Sequence, residues 1–260
     1  MGRLGPVSWW RSLLALPNDS WTKTLSVALL VALSSALVVS TTSVLLRPMQ
    51  EANRERERQA KIVAVVSSII GHPGPLMARV VDLNAGEFSP DIDPVTFDQR
   101  AAARDPTRSI AVPPEADIAG LGRRANHAPV FLREVNGKID LIVLPVHGQG
   151  YQSTLYGYLA LRGDFNTVAA LSFYEHGETP GLGSRITEAA WQANWRDRKV
   201  VNESGTLTIS VARGKADGPY AVDGITGATR TGQGITNLLR YWLGSHGFGP
   251  LLERLRVENS

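Results

Sequence analysis

Three threonines stand among four glycines in "AVDGITGATRTGQG", residues 221 to 234. Hydroxyls at Thr226, Thr229 and Thr231 could cap a helix, hold a phosphate by hydrogen bonds, or carry one as an ester. Gly227 and Gly232 have the G-x-x-x-x-G spacing of a nucleotide phosphate loop. However, Gln233-Gly234 stand where Lys-Ser/Thr must follow, so the charge for the β- and γ-phosphates is missing. The dinucleotide fingerprint G-x-G-x-x-G fails as well. Two readings stay open. One is a strand-to-helix turn whose threonines cap a helix expected to begin near Gln233. The other is an anion site, where the N–H groups of that helix start and close-approaching glycines receive a phosphate borne by one hydroxyl.

A second polar cluster lies upstream in "FYEHGETPGLGSRI", Phe173 to Ile186. Of its two carboxylates, Glu175 and Glu178, the second sits among proline and glycine, a setting in which such a residue is commonly solvated. Proline fixes φ and glycine lets backbone approach closely, so the loop could also lie against a planar ring at low conformational cost. Other chemistries are excluded by composition. The chain has no cysteine, so it builds no disulfide, thiolate metal site, covalent haem or protein-ligated iron–sulfur cluster. Its five histidines are scattered without zinc-ligand spacing, and no metal site is expected. The formal charge of +3 is small and lacks aromatic–basic interleaving, so nucleic acid is not an expected partner.

The elements that must position these residues belong to an α+β domain, an antiparallel sheet with packed helices. Asn136-Gly137 divides two apolar runs, which predicts a hairpin with a type I′ turn. A second hairpin is expected to turn near Gly163-Asp164, and "GTLTISVARG" supplies another strand. "SRITEAAWQANW", 184–195, reads as an amphipathic helix with Ser184 as its N-cap. "GITNLLRYWLG" sets Ile235, Leu238, Leu239 and Trp242 on one face and ends at Gly244. Residues 84–126 read as a loop-rich lobe within a domain spanning 76–260. Arg123-Arg124 reads as a surface pair or a contact with a partner subunit.

Residues 24–46 carry no charge and are long enough to cross a hydrocarbon core as one helix. Trp21 and Lys23 precede the run and Arg47 follows it, as interface anchors would. The run is too long for a cleaved signal peptide and lacks an Ala-x-Ala-like site before Arg47-Pro48. Residues 47–75 read as a juxtamembrane helix and linker, with Glu57 and Lys61 in i, i+4 order and a break at "GHPGP", 71–75. More basic residues follow the anchor than precede it. That count alone would place the large domain in the cytoplasm.

Residues 223–229, "DGITGAT", resemble the flavinylation motif D-x-x-[ST]-G-A-T of the FMN-binding domain family. In that family a flavin transferase joins FMN to the final threonine through a phosphoester. The resemblance implies covalent FMN on Thr229, with Thr226 at the [ST] position and Asp223, Gly224, Gly227 and Ala228 completing the site. For Asp223 both an Asx-turn role and a role in transferase recognition stay open. The upstream block resembles the family's E-T-P-G-L-G loop, which implies flavin-lining roles for Glu178, Thr179, Gly181, Leu182 and Gly183. A carboxylate near the ring would disfavour the anionic reduced forms and lower the potential.

"DLNAGEF", "FDQRAAARD", "RRAN", "LPVHGQGYQSTLYGYLAL" and "YWLGSHGFGPLLERLR" resemble the C subunit of the sodium-translocating NADH:quinone oxidoreductases. That resemblance covers nearly the whole chain. It implies an electron-carrying member of a complex of six subunits in the bacterial inner membrane, with residues 1–23 cytoplasmic and the flavin domain periplasmic. Partners would be the other subunits, the lipid bilayer and, during maturation, the flavin transferase. No catalytic residue of its own is implied, and the isolated protein would carry electrons without turnover. The nearest alternative is the G subunit of the ferredoxin-linked Rnf complex. An alternative of another class is a periplasmic binding or assembly protein without flavin.

Overall fold

The computed structural model describes residues 20–43 and 76–259, with Ala15, Pro17 and Leu46. The juxtamembrane helix expected over 47–75 and its break at 71–75 lie outside the described residues. Two compact units divide the chain, Met1–Ala60 and Lys61–Ser260. In the first, helix α1 (Trp21–Ser43) runs 23 residues at a mean hydropathy of 2.0 with its side chains exposed. It begins three residues before the apolar run, taking in Trp21 and Lys23. Thr24 Oγ1 and Ser34 Oγ donate to the carbonyls of Ser20 (3.3 Å) and Val31 (3.0 Å). The helix thus satisfies these two hydroxyls from its own backbone, as an apolar surrounding demands.

The second unit is built on a six-stranded antiparallel sheet. Its strands are β1 (Met77–Asp82), β2 (Glu87–Phe88), β5 (His127–Val135), β6 (Lys138–Gln149), β7 (Thr154–Arg162) and β8 (Val168–Glu175). They lie in the order β2-β1-β5-β6-β7-β8. The expected hairpin turn is present, with Asn136 at φ 54 and Gly137 at φ 77, the left-handed pair a type I′ turn needs. The β7–β8 turn falls where Gly163-Asp164 marked it. Asp164 accepts the N–H groups of Asn166 (3.0 Å) and Thr167 (2.8 Å), and Phe165 is fully buried at φ 51.

Alternation along β6 splits its side chains between two faces. Ile142, Leu144 and Val146 join the main core, while Leu141 and Val143 join a smaller cluster with Tyr158, Ala160, Ala169 and Ala170. Helices α4 (Thr229–Leu243) and α5 (Gly249–Glu258) pack on the main core. Ile235, Leu238, Leu239 and Trp242 are each 0% exposed, as their spacing predicted. Burial of such side chains contributes roughly 1.5–3 kcal/mol each, an upper estimate. Trp242 Nε1 donates to the carbonyl of His147 at 2.6 Å, fastening α4 to β6.

Three local expectations are corrected. Helix 184–195 is broken into a 3-10 turn, Gly183–Thr187, and α3, Ala189–Ala193, with extended backbone at Glu188. Ile186, Trp191 and Trp195 are all buried. On one continuous helix Ile186 would point about 140° and about 180° away from the two tryptophans, so the break lets all three face inward. Ser184 accordingly caps no α-helix; its Oγ accepts the N–H of Gly181 at 3.0 Å. The strand expected in "GTLTISVARG" shrinks to β9 (Ser210–Val211), paired in parallel with β10 (Ala221–Val222). Asn202 Oδ1 accepts the N–H groups of Ser204 (3.1 Å) and Thr206 (2.9 Å), so a turn replaces the strand's first residues.

The lobe 84–126 is more ordered than its pattern suggested. It holds β2, α2 (Gln99–Arg104) and the β3–β4 pair (Ser109–Ala111, Arg123–Ala125), with Asp98 capping α2. Arg124 is only 3% exposed and donates to the His246 carbonyl and Asn84 Oδ1. It ties the lobe to the turn before α5, which a surface arginine would not do. Arg123 donates to Ser109.

Candidate functional site

Helix α4 starts at Thr229, four residues before the expected start at Gln233. Gly232 and Gly234 argue against helix by propensity, at about 1 kcal/mol each relative to alanine. Packing decides otherwise. A Cβ on Gly234 would lie 2.5 Å from the Gln149 carbonyl oxygen, and one on Gly232 would lie 3.0 Å from Val211 Cγ1. Glycine at 234 lets this turn of the helix approach the β6 backbone, and glycine at 232 keeps it clear of the Val211 side chain.

The preceding turn is closed by the Ala228 N–H donating to the Ile225 carbonyl at 2.9 Å. Gly227 is left-handed at φ +78, and its missing Cβ would stand 2.9 Å from Leu182 Cδ2. The N-cap is Ala228, which has no capping side chain, and the first turn contains no acidic residue. The threonines therefore do not cap the helix. Thr226 is exposed in the loop, Thr229 is exposed at the first helical position, and Thr231 is 1% exposed. Thr231 Oγ1 donates to Glu178 Oε2 at 2.5 Å.

Glu178 is 4% exposed. Its Oε1 accepts the N–H groups of Tyr151 (3.0 Å), Gln152 (2.9 Å) and Ser153 (3.4 Å). The two motif blocks, distant in sequence, thus meet at one carboxylate. Gly183 is buried, and a Cβ there would fall 2.7 Å from Glu178 Oε2 and 2.8 Å from Thr231 Oγ1, so the position has no room for a side chain. The Thr179 carbonyl accepts from Leu182 (3.1 Å) and Ser184 (3.2 Å), and Gly181 is left-handed at φ +73. This tight loop turns Leu182 outward, 44% exposed, over Gly227.

Asp223 and Gly224 lie at the far side of the turn. Asp223 Oδ1 accepts the Ala216 N–H at 2.7 Å, and its carbonyl accepts from Trp191 Nε1 at 3.1 Å. The carboxylate therefore closes a loop. Gly224 has no room for a Cβ, which would sit 2.3 Å from the Ala212 carbonyl oxygen. The sequence reading missed the 150–153 turn and Arg230, whose guanidinium lies 5.3 Å from the ring centre of half-exposed Tyr151. The signal was present in Gly148, Gly150 and the polar run after them, yet nothing local says which acidic residue accepts those amides.

An exposed hydroxyl on an uncapped helix start, flanked by a left-handed glycine and an outward leucine, fits an attached flavin phosphate with an apolar contact for a ring. Residues 150–244, which contain both motif blocks, match the FMN-binding domain family. Over 256 residues the chain is 42% identical to the C subunit of the Na(+)-translocating NADH-quinone reductase of Pseudomonas aeruginosa, covering 92% of this chain and 97% of that protein. This protein belongs to the family of C subunits of the Na(+)-translocating NADH-quinone reductases. The C subunit of Vibrio alginolyticus is 39% identical over 94% of this chain and 98% of its own length. The crystal structure of Shewanella oneidensis NqrC superposes with a TM-score of 0.71 at 29% identity, covering 78% of this chain and 99% of that one. The C subunit of Parabacteroides distasonis superposes at 0.60 and 25% identity, covering 80% and 96%. The expected family and α+β architecture are met. In this C subunit the FMN-binding domain begins at the turn whose amides Glu178 receives and ends at the C-cap of α4.

Proposed function

We propose that Thr229 carries FMN through a phosphoester and that the protein serves as an electron carrier in its complex. The observation that carries this reading is the separation of the three threonines. Thr231 is buried on Glu178, Thr226 lies outside the helix, and Thr229 alone of the three is exposed at the uncapped start of α4. There the helix dipole favours a phosphate.

When bound, FMN supplies the electron transfer; the protein tunes its potential and its access to solvent. Thr229 would hold the phosphate, Gly227 makes the left-handed turn before it, and Leu182, packed over Gly227, would offer an apolar surface beside it. Thr179, Gly181 and Gly183 hold Leu182 outward, while Asp223, Gly224 and Ala228 fix the turn from which α4 starts. By the family resemblance, electrons pass one at a time between a membrane-embedded iron centre and a second covalent FMN in a partner subunit. The domain is then periplasmic, where the flavin transferase acts; long domains translocate largely regardless of flanking charge. Thr229→Ala is expected to give a folded, colourless protein whose intact mass lacks FMN. Covalent flavin retained on that variant would refute the assignment.

A further inference from the structure

We propose that Glu178 and Thr231 are a positioning pair that locks the start of the flavin-bearing helix to the two loops beside it. This rests on the reading that Thr229 carries the flavin. The pair joins three segments far apart in sequence. Oε1 gathers the amides of Tyr151, Gln152 and Ser153, and Oε2 takes the hydroxyl of Thr231, two residues beyond Thr229. The loop bearing Glu178 is itself pinned to the same turn, because the Gly177 N–H donates to Ser153 Oγ at 2.5 Å.

Three backbone N–H groups at Oε1 and one hydroxyl at Oε2 surround this side chain, so each carboxylate oxygen has a partner. Burial at 4% exposure is tolerated because both oxygens are hydrogen-bonded. The box is also closed sterically. A Cβ on Gly150 would lie 2.6 Å from Oε1, and one on Gly183 would lie 2.7 Å from Oε2. A carboxylate so enclosed acts on the flavin through the position of the Thr229 backbone rather than by touching the ring. The turn it orders also carries Tyr151, over which Arg230 is laid.

The test separates position from charge, because Thr231→Val breaks the lock without removing a charge. Full-length chains are loaded in membranes by the flavin transferase and followed by intact mass. Glu178→Ala and Thr231→Val are each expected to load about tenfold more slowly or worse, tenfold being the size of losing one hydrogen bond. Thr231→Ser, which keeps the hydroxyl, restores loading, and the double variant is no slower than the slower single one. The midpoint potentials of the material that does load shift together in both single variants.

Thr231→Val loading and titrating like wild type would overturn the proposal. A potential shift in Glu178→Ala alone would overturn it too, placing the carboxylate's charge against the ring. Hydrogen exchange on chains made without transferase tests the lock apart from any flavin. Glu178→Ala, which removes the acceptor, should speed exchange at the Tyr151–Ser153 amides about tenfold, and unchanged exchange there refutes the geometry. Wild-type flavin on a threonine other than Thr229 would instead sink the attachment reading, with the exchange result standing on its own.

Discussion

At Thr231 the hydroxyl points inward to a carboxylate, and at Thr229, two residues earlier, it faces solvent. Residue type does not distinguish them; their phase on α4 does. The motif spacing made Thr229 legible in the sequence, because a resemblance encodes the phase implicitly. The role of Glu178 was not legible, since its donors are backbone N–H groups, which every residue type offers. His147 is a residue whose environment was equally hidden. Its ring stacks on Tyr156 at 5.4 Å and leans on Trp242 at 4.9 Å, with the Arg100 guanidinium 3.4 Å from the centre of the same Tyr156 ring. Burial first, and the Arg100 charge second, push its pKa down to about 4. A base with a depressed pKa in the folded state favours the neutral form, so its stabilising effect is full above the ordinary value of 6.5. That effect is lost as pH falls from 6.5 towards 4. Wild type should therefore lose melting temperature on acidification through this window. His147→Gln should flatten that slope, and parallel curves would show that His147 does not titrate there.

Helix α4 shows how tertiary packing overrides local preference. Propensity disfavours helix at Gly232 and Gly234, and the start was expected near Gln233. The element begins at Thr229, and its glycines let it pack closely: a Cβ on Gly234 would meet the Gln149 carbonyl and one on Gly232 would press on Val211. By propensity alone Gly234→Ala would stabilise an exposed helix by about 1 kcal/mol. The contact with the Gln149 carbonyl reverses the sign, and an overpacking cost of roughly 1–3 kcal/mol is expected. Thermal melting of the unloaded protein checks this; a raised midpoint would mean that α4 does not pack so closely on β6. The far end of the helix was readable throughout, since Gly244 caps it where the apolar period stops. The segment 184–195 was misread because its period alone cannot reveal that Ile186 and the two tryptophans must share one side.

For the molecule as a whole, the hairpins and the core face of α4 followed from alternation and period, and the resemblance covered nearly the whole length. The lobe 84–126 resisted reading because its short elements are fixed by side-chain contacts such as Arg124 to the His246 carbonyl, not by pattern. Orientation is also a whole-molecule property. Basic residues flanking α1 favour a cytoplasmic domain, and the family reading favours the periplasm. A C-terminal fusion to a reporter active only in the periplasm is expected to be active; activity of a cytoplasmic reporter there would reverse the topology.

The central claim is that one hydroxyl of three holds the flavin, and the fold assigns the three hydroxyls different surroundings. Wild-type protein made with its flavin transferase can be digested and its flavin peptide sequenced by tandem mass spectrometry. One FMN per chain is expected, on the peptide containing residues 223–235, with fragment ions placing the phosphoester on Thr229. Flavin on Thr226 or Thr231, or a chain with no covalent flavin, would contradict it.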